Sequence, residues 1–209
     1  MRNKTGVLIL AAGSSSRMGR PKQLLPYRGK PLLQHTLDLV SELLVCGSVL
    51  VLGASNEAIS TVIDPGTTRI VVNPDWASGM ASSLVYGLQK SLEYCPEMDQ
   101  LLILLSDQPY INRSLLVKLF DTHHSERPLI TASQYGQTNG VPALFSKLLF
   151  EELLGLEGDR GANRLIKKYS GQCVPVPFEL GAVDIDTPEE YAGLLEQPDI
   201  YPYFGSDKH

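Results

Sequence analysis

Residues 101–105 read Leu-Leu-Ile-Leu-Leu, an apolar run with no polar interruption. A strand of that kind offers no face to water, so it belongs in a parallel sheet covered on both sides. Apolar runs at 6–10, 48–52, 69–72, 129–132 and 173–176 read as further strands. Between them lie stretches of helical period. One covers 31–44, with Leu33, Leu37, Val40 and Leu44 at three- and four-residue steps. Others cover 56–63, 80–93, 113–123, 146–154, 162–169 and 188–195. Pro31 and Pro188 suit first turns, and Asn56 suits an N-cap. This alternation implies right-handed crossovers and an α/β fold: three layers, α/β/α, around a mostly parallel sheet. Beyond Ala132 the pattern is less regular, which leaves room for an antiparallel excursion or a small subdomain.

The 209 residues are read as one domain, 1–196, and a peripheral C-terminal tail, 197–209. A hydrophobic share of 43% is too high for a wholly disordered chain. With 18 Lys+Arg against 23 Asp+Glu the formal charge is −5, so there is no basic field for nucleic acid. No apolar run approaches the ~20 residues a membrane span needs. Residues 7–12 are too short for a secretory leader and read as a buried strand. Cys46, Cys95 and Cys173 make no C-x-x-C pair and no metal-ligand spacing. They are expected to be three separate, packed thiols in a reducing cytoplasm. His35, His123, His124 and His209 are expected to be structural or surface residues. No Ser–His–acid or Cys–His pattern points to a covalent nucleophile.

Chemistry concentrates where strands end. After the first strand comes Leu10-Ala11-Ala12-Gly13-Ser14-Ser15-Ser16-Arg17-Met18-Gly19-Arg20-Pro21-Lys22. Small residues let backbone N–H groups approach an anion, serines add donors, and Arg17 and Lys22 add charge. The carboxyl end of a strand is where open α/β sheets bind ligands. These features suit a polyphosphate. The spacing is not that of a Walker A loop, and there is no G-x-G-x-x-G fingerprint. A second segment, 73–84, joins a strand to a helix. Asn73 there offers donor and acceptor groups, Gly79 allows close backbone approach, and Trp76, the single tryptophan, is read as a packing anchor. A third, Ser106-Asp107-Gln108-Pro109, places a carboxylate beside the phosphate loop, where a hard cation such as Mg²⁺ would want it. A fourth, 183–190, sets Asp184 and Asp186 on one side of an extended piece. Thr187 stands there ready to cap the helix that Pro188 starts.

The segment from Leu10 to Pro26 resembles the signature of the MobA/MocA-like nucleotidyltransferases and is most similar to the molybdenum cofactor cytidylyltransferases. The resemblance implies a Rossmann-like fold of the nucleotide-diphospho-sugar transferase type. It implies that the loop of Leu10, Ala11, Ala12, Gly13, Ser14 and Ser15 wraps nucleotide phosphates with Arg17 and Lys22. It places Asn73, Gly79, Met80 and Ser82 in the nucleotide pocket, and Asp107 and Asp186 on the metal, with Asp184 as a supporting or substitute ligand. Ala-Ala-Gly at 11–13 resembles the cytidine-using branch, whereas the guanosine-using branch more often has Ala-Gly-Gly. Two further stretches, 138–145 and 158–164, resemble family segments that serve the acceptor or merely shape the fold. In the second, Asn163 departs from the family's arginine.

The expected activity is therefore transfer of CMP from CTP to molybdopterin with Mg²⁺ and release of pyrophosphate. The expected catalytic residues are Lys22, Arg17 and Asp107. The dinucleotide product would serve a molybdenum hydroxylase such as xanthine dehydrogenase. Transfer to another phosphorylated acceptor, such as a sugar phosphate, and a non-catalytic cofactor carrier are the alternatives. A sugar transferase of related fold would prefer a D-x-D motif where this chain has Ser106-Asp107-Gln108.

Overall fold

Strand β1, Thr5–Ala11, is buried along its whole length. Because side chains alternate across a strand, Val7, Ile9 and Ala11 enter one apolar core, and Leu8 and Leu10 enter the other. The computed structural model describes residues 4–159 and 161–196. The expected peripheral tail, 197–209, lies outside the described residues. The other elements are β2 (Pro26–Tyr27), β3 (Lys30–Pro31), α1 (Leu32–Ser41), β4 (Gly47–Leu52), α2 (Asn56–Val62), β5 (Arg69–Val72), α3 (Met80–Tyr94) and β6 (Gln100–Leu105). The second half adds α4 (Arg113–Glu126), β7 (Ile130–Tyr135), β8 (Thr138–Ser146), α5 (Phe150–Leu154), α6 (Asn163–Lys168), β9 (Cys173–Pro177) and α7 (Pro188–Glu196).

The main sheet has the order β5-β4-β1-β6-β8-β7-β9. β1 pairs in parallel with both β4 and β6, and β4 pairs in parallel with β5. β8 runs antiparallel to both of its neighbours, and β7 returns to a parallel pairing with β9. Helices α1, α2, α4 and α7 pack one face of the sheet, and α3, α5 and α6 the other. The expected three-layer α/β/α fold with a mostly parallel sheet is therefore present.

The differences have local causes. Helix α1 ends at Ser41 rather than at residue 44, because Leu44 points outward and is 86% exposed. Ser55, not Asn56, stands at the cap of α2, while the Asn56 side chain donates to Gly53 O at 3.1 Å. β8 occupies the stretch 138–145, for which an acceptor role or a fold-shaping role was expected. Gly140 and Pro142 hid it, since proline in a central strand ordinarily argues against one. The ladder skips there: Ala132 pairs with Ala143 and Ser133 with Gly140. Pro142 thus sits where no ladder donor is needed, and its carbonyl accepts from Ser133 Oγ at 2.8 Å.

The cysteine reading needs correction. Cys46 and Cys95, 49 residues apart, are joined in a disulfide, and Cys173 remains free. Cys46 immediately precedes β4 and Cys95 caps the C-terminus of α3. α3 packs on β4 through Val51, which brings the two ends to a Cα separation of 6.1 Å. Spacing along the chain could not show this. His123 is a structural histidine as expected. It is buried, its Nδ1 lies 2.9 Å from Thr131 Oγ1, and burial lowers its pKa. Among the described residues no helix is long and apolar enough to cross a membrane.

Gly87 sets how closely α3 approaches the sheet. A Cβ there would lie 2.4 Å from Leu8 Cδ1 and 2.6 Å from Val51 Cγ2. Gly87→Val is expected to cost about 3 kcal/mol through overpacking. Urea unfolding should show it as a lower midpoint at unchanged slope.

Candidate active site

The loop after β1 is held by two residues that the sequence reading did not weigh together. Ser15 adopts φ 53°, a left-handed conformation that a serine rarely takes. Its carbonyl accepts from Met18 N at 3.0 Å and Gly19 N at 3.2 Å. Its hydroxyl accepts from Lys22 N at 3.1 Å and donates to Gln23 Oε1 at 3.4 Å. Gln23 is buried and its amide donates to Ala11 O at 2.9 Å. These bonds offset the backbone strain and close the loop back onto β1. Lys22, at the start of a short 3-10 turn, is thereby aimed at the end of β6.

There it meets two carboxylates. Lys22 Nζ lies 2.6 Å from Asp107 Oδ2 and 2.6 Å from Asp186 Oδ1. Arg17 reaches the other oxygen of Asp186, also at 2.6 Å. Burial opposes the charge on Lys22, but the two aspartates outweigh it and hold its pKa above the ordinary value. For Asp186, burial is likewise outweighed, here by Lys22 and Arg17, and its pKa is lowered. Asp107 stands two residues beyond the end of β6, and its carbonyl accepts from Ile185 N at 3.0 Å. That bond pins residues 184–186 beside β6. Ile185 is fully buried, so alternation turns both flanking aspartates outward.

The helix-capping reading of 184–190 also holds, without using an aspartate side chain. Glu190 Oε2 accepts from Asp186 N and Thr187 N, both at 2.8 Å. Thr187 Oγ1 accepts from Glu190 N at 3.2 Å. This reciprocal cap fixes the backbone and leaves the Asp186 carboxylate to Lys22 and Arg17.

Among the described residues no three His, Cys, Asp or Glu side chains converge as a self-sufficient metal site. The donor set still fits a hard divalent cation. Asp107 and Asp186 converge on one point, and Asp107 Oδ1 is buried without a hydrogen-bond partner. Such a cation characteristically takes one or two carboxylates and completes its shell with phosphate oxygens and water.

Two cavities adjoin this cluster. The first, ≈ 410 Å³, is lined by Leu10, Ala11, Ala12, Gly13, Ser14, Lys22, Gly79, Met80 and Asp107, all expected from the sequence. It also takes Gln23, Trp76, Ser83, Ser106 and Asp159, which were not expected. The second, ≈ 420 Å³, holds Arg17, Asp184 and Asp186, with Lys22, Met80, Asp107 and Asp159 common to both. Arg17 thus stands on the far side of Lys22 from the small-residue loop, paired with Asp186. Ser15, Asn73 and Ser82 line neither cavity. Asn73 is buried, its amide donating to Ser82 Oγ and Ser83 Oγ at 3.0 Å while its Oδ1 accepts from Asp75 N at 3.0 Å. It shapes the turn that carries Trp76. Within the stretch 158–164, nothing in the composition marked Asp159 as a residue that lines both cavities. Arg160 lies outside the described residues.

The sequence matches the MobA-like NTP transferase domain over residues 7–173. It is 33% identical over 205 residues to nicotine blue oxidoreductase of Paenarthrobacter nicotinovorans, covering 91% of this chain and 96% of that one. It is 33% identical over 201 residues to the purine catabolism protein PucB of Bacillus subtilis, covering 88% and 92%. Among solved structures, Rv0371c of Mycobacterium tuberculosis superposes with a TM-score of 0.83 at 31% identity, covering 94% of this chain and 100% of that one. The molybdopterin-guanine dinucleotide biosynthesis protein A of Archaeoglobus fulgidus shares the fold, with a TM-score of 0.68 at 16% identity over 90% of this chain and 96% of its own.

Asp184 carries a testable electrostatic signature. Desolvation first, then the charges of Asp107 and Asp186, push its pKa up to about 6 from 3.8. A raised carboxylate pKa means the folded state resists ionisation, so this residue lowers stability as pH rises from about 4 to about 6. The residue is exposed at the rim, so solvent screening keeps the effect small. Asp184→Asn should remove it. In EDTA, the difference in Tm between Asp184→Asn and wild type is expected to grow in the variant's favour between pH 4 and 6 and to level off above. A difference that stays flat with pH would contradict the assignment.

Proposed function

The chain belongs to the MobA-like NTP transferase family, and we propose that within it the protein moves CMP from CTP to molybdopterin, releasing pyrophosphate. The observation that carries the reading is Lys22 held between Asp107 and Asp186, where two cavities share a wall. The first cavity, with its small-residue loop, suits a nucleoside triphosphate. The second suits a phosphorylated acceptor. The phosphate groups of both ligands would then meet at the shared wall.

The chemistry needs little beyond positioning and charge. An acceptor phosphate oxygen attacks the α-phosphorus, a new P–O bond forms, and the bond to the β-phosphate oxygen breaks. Pyrophosphate leaves with the electron pair. A phosphate monoester is largely ionised at neutral pH, so no protein base is required. Lys22, kept protonated by its neighbours, offsets the charge that grows at the α-phosphate and leaving group. Backbone N–H groups at Gly13 and Ser14 offer donors to the triphosphate. Asp107 and Asp186 would hold Mg²⁺, which supplies Lewis-acid neutralisation of the triphosphate when bound. Arg17, paired with Asp186 and lining the second cavity, is assigned to the acceptor phosphate rather than to the triphosphate.

The name of PucB supports a place beside purine breakdown, where a molybdenum hydroxylase of the xanthine dehydrogenase kind would use a cytosine dinucleotide cofactor. Cytosine is favoured by Ala11-Ala12-Gly13. A second reading follows from the relative called nicotine blue oxidoreductase, which would make this chain a redox enzyme. The Lys22 cluster weighs against it, because two carboxylates and two cations arranged around one point serve phosphate charge rather than hydride transfer. A sugar phosphate acceptor is the nearer alternative. Part of the chain, 60%, is 32% identical to the bifunctional protein GlmU of Desulfitobacterium hafniense, over 27% of that protein's length.

Pyrophosphate release with Mg²⁺ and each of CTP, GTP, ATP and UTP, with and without molybdopterin, tests the proposal. CTP-selective, molybdopterin-dependent release is expected. Release only with sugar phosphates would move the acceptor, and tight pterin binding without turnover would indicate a carrier. Lys22→Ala should slow turnover by ~10²–10³, and a near-wild-type rate would remove Lys22 from its role. Asp107→Ala should abolish the Mg²⁺ dependence of CTP binding in titration calorimetry.

A further inference from the structure

The Cys46–Cys95 bridge stands apart from the Lys22 cluster, and the transfer chemistry makes no use of it. The cluster gathers past the carboxyl ends of β1 and β6. The bridge lies at the other end of the parallel strands, where β4 begins and α3 ends. A cavity of ≈ 330 Å³ opens there, with Cys46, Gly47, Ser48, Arg69 and Tyr94 in its lining.

The two cysteines face this cavity unequally. Cys46 lines it and is partly exposed. Cys95 does not line it and is buried, at 8% exposure. A reagent that enters the cavity therefore meets Cys46 first. Among the described residues that line it, only Arg69 is charged. The Arg69 guanidinium carbon sits 4.1 Å from the centre of the Tyr94 ring, a contact that holds a cation at the cavity. The species that attacks a disulfide is a thiolate, and a neighbouring guanidinium favours the thiolate form.

The backbone on each side of the bridge is secured without the sulfurs. Cys46 N donates to Thr5 O at 2.9 Å, Cys95 N donates to Ser91 O at 2.9 Å, and Met98 N donates to Cys95 O at 3.0 Å. These bonds keep the two cysteines side by side when the bridge is open, so it can close again.

We propose that this cavity is a thiol–disulfide exchange site for a small anionic thiol, with Cys46 as the sulfur attacked. The thiolate forms an S–S bond to Cys46 Sγ, and the Cys46–Cys95 bond breaks. Its electron pair goes to Cys95 Sγ, which takes a proton from water. A second small thiol then attacks the mixed disulfide at the small-molecule sulfur and frees Cys46 as a thiol. Two small thiols are thereby oxidised to one disulfide, and the protein bridge is reduced to two thiols. The reaction cuts the covalent tether between α3 and the start of β4.

The test compares mercaptoacetate, an anionic thiol, with cysteamine, a cationic one. Each rate on the bridged protein is divided by the rate of the same thiol on oxidised 2-mercaptoethanol, a neutral disulfide, which removes differences in intrinsic reactivity. Acid quenching and peptide mass mapping locate the adduct. Mercaptoacetate is expected to lead by roughly three- to tenfold at low ionic strength, with its adduct on Cys46, and the lead should shrink in salt. Arg69→Gln should bring the two thiols within about twofold, and Arg69→Lys should keep the lead. Full reduction should raise the thiol titre of the unfolded chain from one to three and lower Tm by roughly 5–15 °C. A titre of three before any reductant is added would remove the bridge and the proposal with it. An adduct on Cys95, equal normalised rates on wild type, or a lead that survives Arg69→Gln would each overturn it. Should Arg69→Gln fail to fold, loss of the lead in a folded Arg69→Lys would do the same.

Discussion

Lys22 is shared between Asp107 and Asp186, and this contact ties together parts of the chain 85 and 164 residues apart. It joins the loop after β1, the end of β6 and the segment leading into α7. Lys22 and Asp107 are largely shielded, with side chains 12% and 17% exposed. Two carboxylates that close repel one another unless a cation stands between them. Removing the ammonium would leave that repulsion in a low-dielectric setting, and removing one carboxylate would leave a partly buried charge short of a partner. The geometry therefore enforces its own composition. It also sets a competition, because the oxygens that hold Lys22 are those a divalent cation would use. A bound cation and Lys22 cannot both keep these contacts unchanged, so phosphate oxygens are the natural alternative partners for the ammonium.

The placement of that cluster follows from the sheet. Parallel strands β1 and β6 deliver their carboxyl ends to one edge, and Ser106 N donates to Leu10 O at 3.3 Å there. The loop after β1 and Asp107 are consequently neighbours whatever the intervening sequence does. α3 fills the space beside them, and its close approach depends on Gly87 against Leu8 and Val51. A wider spacing would move Gly79, Met80 and the turn holding Asp159 away from Lys22. Packing in the core and geometry at the site are thus one constraint seen at two ends of a helix.

Most of this was legible in the sequence where the signal was local. Uninterrupted apolar runs marked β1, β4 and β6, and small residues with Arg17 and Lys22 marked the loop. Asp107 was found as a carboxylate just beyond a strand, and Asp186 through its resemblance to a family segment before the last helix. What stayed hidden depended on contacts between distant residues. The Cys46–Cys95 bridge depends on how α3 ends beside β4. β8 was masked by Gly140 and Pro142, which disfavour strands in isolation and fit here through a ladder irregularity. Asn73 and Ser82 have the polar groups of ligand-binding residues, yet they use them on each other and on the turn. The pairing of Arg17 with Asp186 is decided by a segment far along the chain. Residues 197–209, expected to form a peripheral tail, lie outside the described residues.

The two cavities differ in what they ask of a ligand. The first is lined by Gly13, Ser14, Ser83, Ser106 and Lys22, residue types that can offer donors to phosphate oxygens. In the second, Asp107, Asp159, Asp184 and Asp186 outnumber Arg17 and Lys22, so a free anion gains little away from those two cations. On the proposed reading, an acceptor phosphate would be stabilised only where Arg17 and Lys22 stand, next to the shared wall. Repulsion from the remaining carboxylates would, on the same reading, help to orient a phosphorylated acceptor, as attraction to the two cations does. Orientation of this kind would bring the attacking oxygen to the first cavity before any bond changes, and such positioning lowers a barrier without a protein base.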